Sequence, residues 1–178
     1  MDRSELEKFI RDARSSAGRD AYSPFSLEDI YSIAFNLGIN GIIYLEKFDD
    51  KRHVNVLLDI NEDNITLYDP LSSIKKKSYN KIQLGMYCKP IGSYKDDFQK
   101  YKEQFETPES TDIWDRYEQK GKLLFDFLIQ HNEFRSFFTK CVSHIGNLSA
   151  LQNNISSSDC APISLFIISL GNTQNSKS

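Results

Sequence analysis

The sequence predicts an α+β fold with a small, mostly antiparallel central sheet flanked by helices. Three apolar, strand-like segments follow one another between residues 41 and 69, and segments with helical periodicity stand on both sides of them. Of the 178 residues, 39% are apolar and 12% aromatic, which is enough to build a hydrophobic core. We therefore expect residues 1–178 to form a single domain.

Two amphipathic helices are expected before the strands. Residues 4–17 carry apolar side chains at helical spacing, and Gly18 ends this helix. Ser26 caps the second helix, with Asp29 three residues later as in a capping box. The apolar face of the second helix and its closing glycine are predicted at Leu27, Ile30, Ile33, Ala34, Leu37 and Gly38.

The strands form a consecutive set. Residues 41–48 are apolar and β-branched, and residues 52–60 and 64–69 continue the pattern. The polar residues 61–63 between the last two strands have the chemistry of a hairpin turn. The lysines at 75–77 that follow are interpreted as a solvated loop.

The second half of the chain is mainly helical. Residues 94–140 are polar with apolar positions at spacings of three and four, and residues 107–109 break this stretch into helices. Residues 141–151 are ambiguous, and we favour a strand. Residues 159–170 predict a strongly apolar helix that ends at Gly171.

The composition argues against several functional classes. A formal net charge of -3 and a pI near 5.6 argue against nucleic-acid binding as the main function, which needs a basic face. The longest apolar stretch, residues 161–170, is shorter than the roughly 20 residues that cross a bilayer. The charged N-terminus does not resemble a Sec-type signal peptide. We expect a monomer without a membrane span.

The cysteines and histidines indicate the redox compartment and argue against a metal site. Cys88, Cys141 and Cys160 are odd in number and widely separated, which does not fit a disulfide framework and predicts a reducing intracellular compartment. The spacing of cysteine and histidine does not match a structural zinc site. Four of these residues are interpreted as structural: Cys88, Cys141, His131 and His144.

The predicted hairpin brings a histidine and a carboxylate together. His53 opens one strand, and Asp69 closes the other. Directly opposite residues of antiparallel strands lie about 5 Å apart at Cβ, so we expect the two side chains to be neighbours. Asp69 could then fix the tautomer of His53 and stabilise its protonated form. The ordinary alternatives are a surface histidine and an Asp-Pro turn.

Cys160 is the predicted nucleophile. It falls in the first turn of the last helix, where free backbone N–H groups and the helix dipole favour a thiolate. A cysteine beside a histidine oriented by an aspartate is the general pattern of an activated nucleophile. Upstream, the amides of Gln152 or Asn154 could stabilise an oxyanion. The structural alternative for Cys160 is a small buried hydrophobic residue.

The order His, Asp, amide, Cys resembles the clan CE cysteine proteases, which include SUMO and ubiquitin-like proteases, the adenovirus protease and bacterial effectors. The similar segments are RHVNVLLDINEDNITLYDPLSS and LQNNISSSDCAPISLFIISL. The second segment also resembles the YopJ-type acetyltransferases, a sister branch. This sequence departs from the SUMO proteases at Val54, where they have tryptophan, and from the family at Ala161, where it has glycine.

The resemblance implies a cysteine isopeptidase that removes ubiquitin or a ubiquitin-like modifier from proteins. It implies the adenain or ubiquitin-like-protease type of fold, with His53, Asp69 and Cys160 as the triad and no metal or organic cofactor. Residues 94–140 are then a helical insertion. Exposed aromatics in it, such as Trp114 and Tyr117, would contact the substrate protein, unless they simply cover the sheet.

Two alternatives stay open on the same residues. A YopJ-like acetyltransferase would use the triad to carry acetyl from acetyl-CoA, and dependence on coenzyme A would identify it. A catalytically dead binding module is motivated by Val54 and Ala161. The abundance of Asn, Ile, Lys and Ser is compatible with an AT-rich genome, and with the resemblance to bacterial effectors it favours secretion into a host cytosol.

Overall fold

The structure, a computed structural model, describes residues 3–20, 23–48, 51–105, 108–145 and 159–172. Its helices and strands, in chain order, are α1 (Arg3–Ala17), α2 (Leu27–Leu37), β1 (Gly41–Phe48), β2 (Lys51–Ile60), β3 (Asn64–Asp69), β4 (Ser73–Ser78), α3 (Lys81–Tyr87), β5 (Cys88–Ile91), α4 (Ser93–Glu103), α5 (Ile113–Gln130), α6 (Asn132–Ile145) and α7 (Cys160–Asn172). None of the helices in these segments is both long and apolar enough to cross a bilayer.

The five strands form one antiparallel sheet in the order β4-β3-β2-β1-β5. Helices cover both of its faces, so the predicted α+β class with a small antiparallel sheet is confirmed. Consecutive strands β1 to β4 are neighbours in the sheet, and β5 returns to the free edge of β1. The site described below lies where β2 begins and β3 ends.

Alternation along the strands divides the core in two. On β2, Val54, Val56 and Leu58 pack with α1, α2 and α7 on one face of the sheet. Leu57 and the inward residues of β3 pack with α3, α4 and α5 on the opposite face. The apolar helix α7 lies directly on β2, and most of its side chains are buried. This packing brings the N-terminus of α7 to the beginning of β2.

The predicted caps of α2 are present. The Ser26 hydroxyl accepts from the Asp29 N–H at 3.0 Å, and the Asp29 carboxylate accepts from the Ser26 N–H at 3.0 Å. Such a cap contributes about 1 kcal/mol to helix stability. Gly38 ends the helix in the left-handed region at φ 66°. Leu37 was wrongly placed on the apolar face, because it is 59% exposed in the last turn.

The interpretation of residues 75–77 as a loop was wrong, because they lie in the edge strand β4. An alternation of apolar and polar residues is the usual signal of a strand, and residues 73–78 do not have it. Lys75 and Lys77 pair across from Leu67 and Ile65, so both point to the sheet face that α3 to α5 cover. Lysines on an edge strand also disfavour pairing with another chain.

The prediction of a strand at 141–151 was wrong for its described part. Residues 141–145 belong to α6, and residues 146–151 lie outside the described residues. Gly171 does not end the last helix but lies within α7. A Cβ atom there would stand 2.3 Å from the Phe137 ring, so this glycine permits close packing of α7 on α6.

Residues 94–140 are helical as predicted, in α4, α5 and most of α6. Residues 108 and 109 of the predicted break lie between α4 and α5, outside both helices, and residue 107 lies outside the described residues. The sequence did not predict the short helix α3 and the strand β5 that precede this region. Both are short, and α3 is fixed by packing against α5 on the sheet, where Gly85 and Gly121 allow the two backbones to approach closely.

Candidate active site

His53 and Asp69 form a short hydrogen bond, with 2.6 Å between Nε2 of the histidine and Oδ1 of the aspartate. Both side chains are largely buried, with exposed fractions of 13% and 9%. We expected the two residues to lie directly opposite each other, but they do not. Val56 pairs with Tyr68, which puts Asp69 beside Asn55 in the continued register. His53 is therefore the diagonal neighbour of Asp69, and diagonal pairs remain within reach of long side chains.

Asp69 is held by two further donors. The backbone N–H of Leu71 donates to Oδ1 at 2.9 Å, as in an Asx turn, and Lys75 Nζ donates to Oδ2 at 3.2 Å. Burial would raise the pKa of this carboxyl, but the hydrogen bonds from His53, Leu71 and Lys75 and the charge of His53 hold it well below its usual range. Asp69 is therefore a carboxylate at neutral pH. Its side chain both forms the turn at Asp69-Pro70 and contacts His53.

Cys160 is the first residue of α7 and is 5% exposed. Its Sγ accepts a hydrogen bond from the backbone N–H of Val54 at 3.4 Å. Val54 directly follows His53 in β2. The Cys160 side chain also contributes to raising the pKa of His53, which places the sulfur within interaction distance of the ring. Because Nε2 is bound to Asp69, Nδ1 is the ring nitrogen left for the sulfur. The Val54 N–H and the start of the helix both place positive dipole ends beside negative charge that develops on Sγ.

The position of His53 between these groups changes its acidity. Burial would lower its pKa, but hydrogen bonds and charges from Asp69 and Cys160 raise the pKa to about 9. The imidazole is therefore protonated at neutral pH in this environment. This is the protonation state of a histidine that has already taken a proton from a thiol.

The raised pKa of His53 predicts a pH-dependent stability. An unfolded histidine titrates near 6.5, so the stabilising contacts of the protonated ring are fully present below pH 6.5 and are lost as the pH rises through about 9. We expect the free energy of unfolding to fall by up to about 3 kcal/mol across this window. Urea unfolding at several pH values would measure it, with His53→Gln as the control. Equal pH slopes in the two proteins would contradict the assignment.

A second group of charges lies beside the His53–Asp69 pair. Glu46, which pairs with His53 across β1 and β2, is 7% exposed. Its carboxylate accepts from Lys77 Nζ at 3.1 Å and from Asn55 Nδ2 at 3.2 Å, and Lys75 Nζ is 3.8 Å away. Lys75 thus lies between the carboxylates of Glu46 and Asp69. The sequence analysis missed this network, although a glutamate in register with buried Ile42 and Tyr44 on β1 was a signal of it.

A buried ion pair fixes the residue before Cys160. Arg14 Nε donates to Asp159 Oδ1 at 3.0 Å, and Arg14 Nη2 bonds the same oxygen. Arg14 Nη1 also donates to the carbonyls of Asp20 at 2.7 Å and Ser23 at 2.8 Å. Both charged side chains are less than a tenth exposed. Helix α1 therefore holds the start of α7 in place. The sequence analysis did not predict this role of α1.

The other predicted site residues are not brought to this place. Gln152 and Asn154 lie outside the described residues. Trp114 and Tyr117 lie on α5, whose buried side chains pack on the sheet face opposite to Cys160. Trp114 is 54% exposed, and its ring centroid is 6.2 Å from that of Tyr117. In the described part of the chain, no hydrogen bond, ion pair or ring contact joins either aromatic to His53, Asp69 or Cys160.

The remaining cysteines and histidines have structural surroundings where they are described. Cys88 and Cys141 are fully buried, and burial raises the pKa of each thiol to about 12. His131 Nδ1 accepts from the Phe134 N–H at 3.3 Å, and its ring lies 4.6 Å from that of Tyr94. In the described part of the chain, no group of three or more His, Cys, Asp or Glu side chains is arranged to hold a metal ion.

The cluster places the Cys160 sulfur beside the residue pair His53 and Val54, with the His53 ring hydrogen-bonded to the Asp69 carboxylate. Such a cluster can remove a proton from a thiol, keep it on the imidazole and return it to a leaving group. The carboxylate orients the ring and stabilises its charge throughout. Comparison of the chain with protein-family models, with curated proteins and with solved structures gave no match.

Proposed function

We propose that the protein is a cysteine isopeptidase that removes ubiquitin or a ubiquitin-like modifier from other proteins. The observation that carries the proposal is the clustering of Cys160, His53 and Asp69: His53 is hydrogen-bonded to Asp69, and the Cys160 sulfur is bound by the N–H of the next residue, Val54. It supports nucleophilic acyl transfer as the reaction class. The choice of modifier is supported by the sequence resemblance of residues 52–73 and 151–170 to the clan CE proteases.

The reaction would proceed in two acyl-transfer steps. Protonated His53 already holds the proton of Cys160 at Nδ1, and the thiolate attacks the carbonyl carbon of the modifier's terminal glycine. The tetrahedral intermediate collapses by breaking the C–N bond, and His53 donates its proton to the leaving lysine amine. Water then loses a proton to His53 and attacks the thioester, which releases the modifier as a carboxylic acid. The thiolate and the protonated imidazole are thereby restored, and no external oxidant or reductant is needed.

Electrostatics around the triad would assist both steps. The negative charge of Asp69 faces the protonated ring at Nε2, so that the ring holds a proton without changing its orientation. The Val54 N–H donates to the sulfur when it is the leaving group of the second step. Gln152 or Asn154 remains the proposed side-chain donor to the oxyanion, together with backbone N–H groups.

The first test is reaction with ubiquitin and SUMO whose C-termini carry a thiol-reactive group. We expect a covalent adduct, one modifier larger in mass, in the wild type and in Cys88→Ala. The adduct should be absent in Cys160→Ala. Cys88 is a suitable control because its thiol is buried on β5, at the opposite side of the sheet from β3.

Two results would contradict the proposal. An adduct that persists in Cys160→Ala would remove Cys160 as the nucleophile. Absence of an adduct with every modifier would remove the isopeptidase activity, and labelled acetyl-CoA would then be the next reagent. Transfer of label to Cys160 would identify a YopJ-like acetyltransferase, whereas loss of both reactions would leave a binding module.

A further inference from the structure

A second concave site lies between α4 and α5, on the sheet face opposite to α7. Its volume is about 370 Å³, within the size range of small-ligand sites, roughly 300 to 1,000 Å³. Lys102 from α4 and Arg116 and Lys120 from α5 line it. The aromatic rings of Phe105 and Tyr117 line it as well. The cavity thus combines several cationic groups with flat apolar surfaces.

The positive charges in this site are not neutralised by the described protein. Lys102, Arg116 and Lys120 form no side-chain ion pair with a carboxylate in the described segments, although Glu109 also lines the cavity. By contrast, the neighbouring Lys122 pairs with Glu118 on the outer side of α5 at 3.6 Å. The described lining therefore carries three cations against one carboxylate, and an anion from solution would offset the remaining repulsion.

The pKa of Lys120 reflects its burial and the repulsion by neighbouring cations. Its side chain is half-buried, and burial together with the nearby charges of Lys89 and Lys102 lowers its pKa to about 8. A lysine is rarely buried beside other cations unless a partner stabilises its charge. Lys89 on β5 adds to the positive potential at Lys120, although it does not line the cavity.

We propose that this cavity binds a small phosphate-bearing anion. Lys102, Arg116 and Lys120 would donate to the phosphate oxygens, since guanidinium and ammonium groups are the usual partners of phosphate. An aromatic or apolar group attached to the phosphate would lie against Phe105 and Tyr117. The site is separate from the triad, so it can bind whether or not the protein is an isopeptidase.

The test uses the single tryptophan of the chain as a reporter. Trp114 stands next to Tyr117 with 6.2 Å between ring centroids, so a ligand in the cavity should change its fluorescence. Wild-type protein is titrated with adenosine 5′-monophosphate, with inorganic phosphate and with adenosine. The same titrations are made with Lys120→Met and with the matched control Lys122→Met, whose lysine is exposed on the same helix.

We expect saturable binding of the monophosphate in the wild type, at least about tenfold weaker in Lys120→Met and within about twofold in Lys122→Met. Competition by inorganic phosphate with similar affinity would assign the site to free phosphate, and a much tighter monophosphate would assign it to a phosphate ester. The proposal would be overturned by no saturable change with either phosphate compound, or by equal binding of adenosine and the monophosphate. Unchanged affinity in Lys120→Met would overturn it as well.

Discussion

Asp69→Asn is expected to lower kcat/KM for a modifier-derived substrate by on the order of 10⁴-fold, the loss that the same change causes in a serine protease triad. Asparagine keeps the shape of the side chain and can still accept from the Leu71 N–H. It loses the negative charge that now faces His53 at 2.6 Å. The ring is then free to adopt the wrong tautomer, and its protonated form is no longer stabilised.

The measurement is steady-state hydrolysis of a fluorogenic C-terminal amide of whichever modifier forms the adduct. Asp63→Asn is the matched control, because it makes the same change at an exposed turn residue of the same hairpin. A second readout is the pKa of His53, followed by NMR. It should fall from about 9 in Asp69→Asn, since the Asp69 hydrogen bond and charge raise it. Activity within about threefold of the wild type would exclude Asp69 from the machinery.

Features that depend on neighbouring residues in the chain were predictable from the sequence. The capping box of α2 needs only Ser26 and Asp29, and the hairpin needs a polar turn between two apolar strands. That hairpin predicted that His53 and Asp69 would be neighbours, but it did not predict the register of β2 and β3. The shift between Leu57 and Asp59 in the β2–β3 pairing moves Asp69 relative to His53, and a bulge leaves no clear sign in this sequence.

Features that depend on distant partners were not predictable in the same way. Lys75 was assigned to a loop because its role depends on the carboxylates of Glu46 and Asp69, which no local pattern reveals. Arg14 carried a signal that was not used. It follows Ile10 by four residues and so lies on the apolar side of α1, where a charged side chain requires a partner. Only the folded chain identifies that partner as Asp159.

Arg14→Met is expected to lower the free energy of unfolding by about 3 kcal/mol, because it leaves the Asp159 carboxylate buried without its cation. Asp159 is 5% exposed, and in the described part of the chain its side chain pairs with Arg14. The substitution also removes the donors to the carbonyls of Asp20 and Ser23. Urea unfolding at pH 7 measures the change. The methionine retains much of the apolar volume, so the loss reports mainly the charge and its hydrogen bonds.

Two further variants separate the ion pair from other effects of the substitution. Arg11→Met changes an exposed arginine on the same helix and should alter stability by no more than about 0.5 kcal/mol. The double variant Arg14→Met with Asp159→Asn should be more stable than Arg14→Met alone, because neither buried charge then remains without a partner. If the double variant loses the sum of both single effects, the two residues are not coupled. Coupling would mean that α1 stabilises the helix end at which Cys160 stands, because Asp159 directly precedes this cysteine.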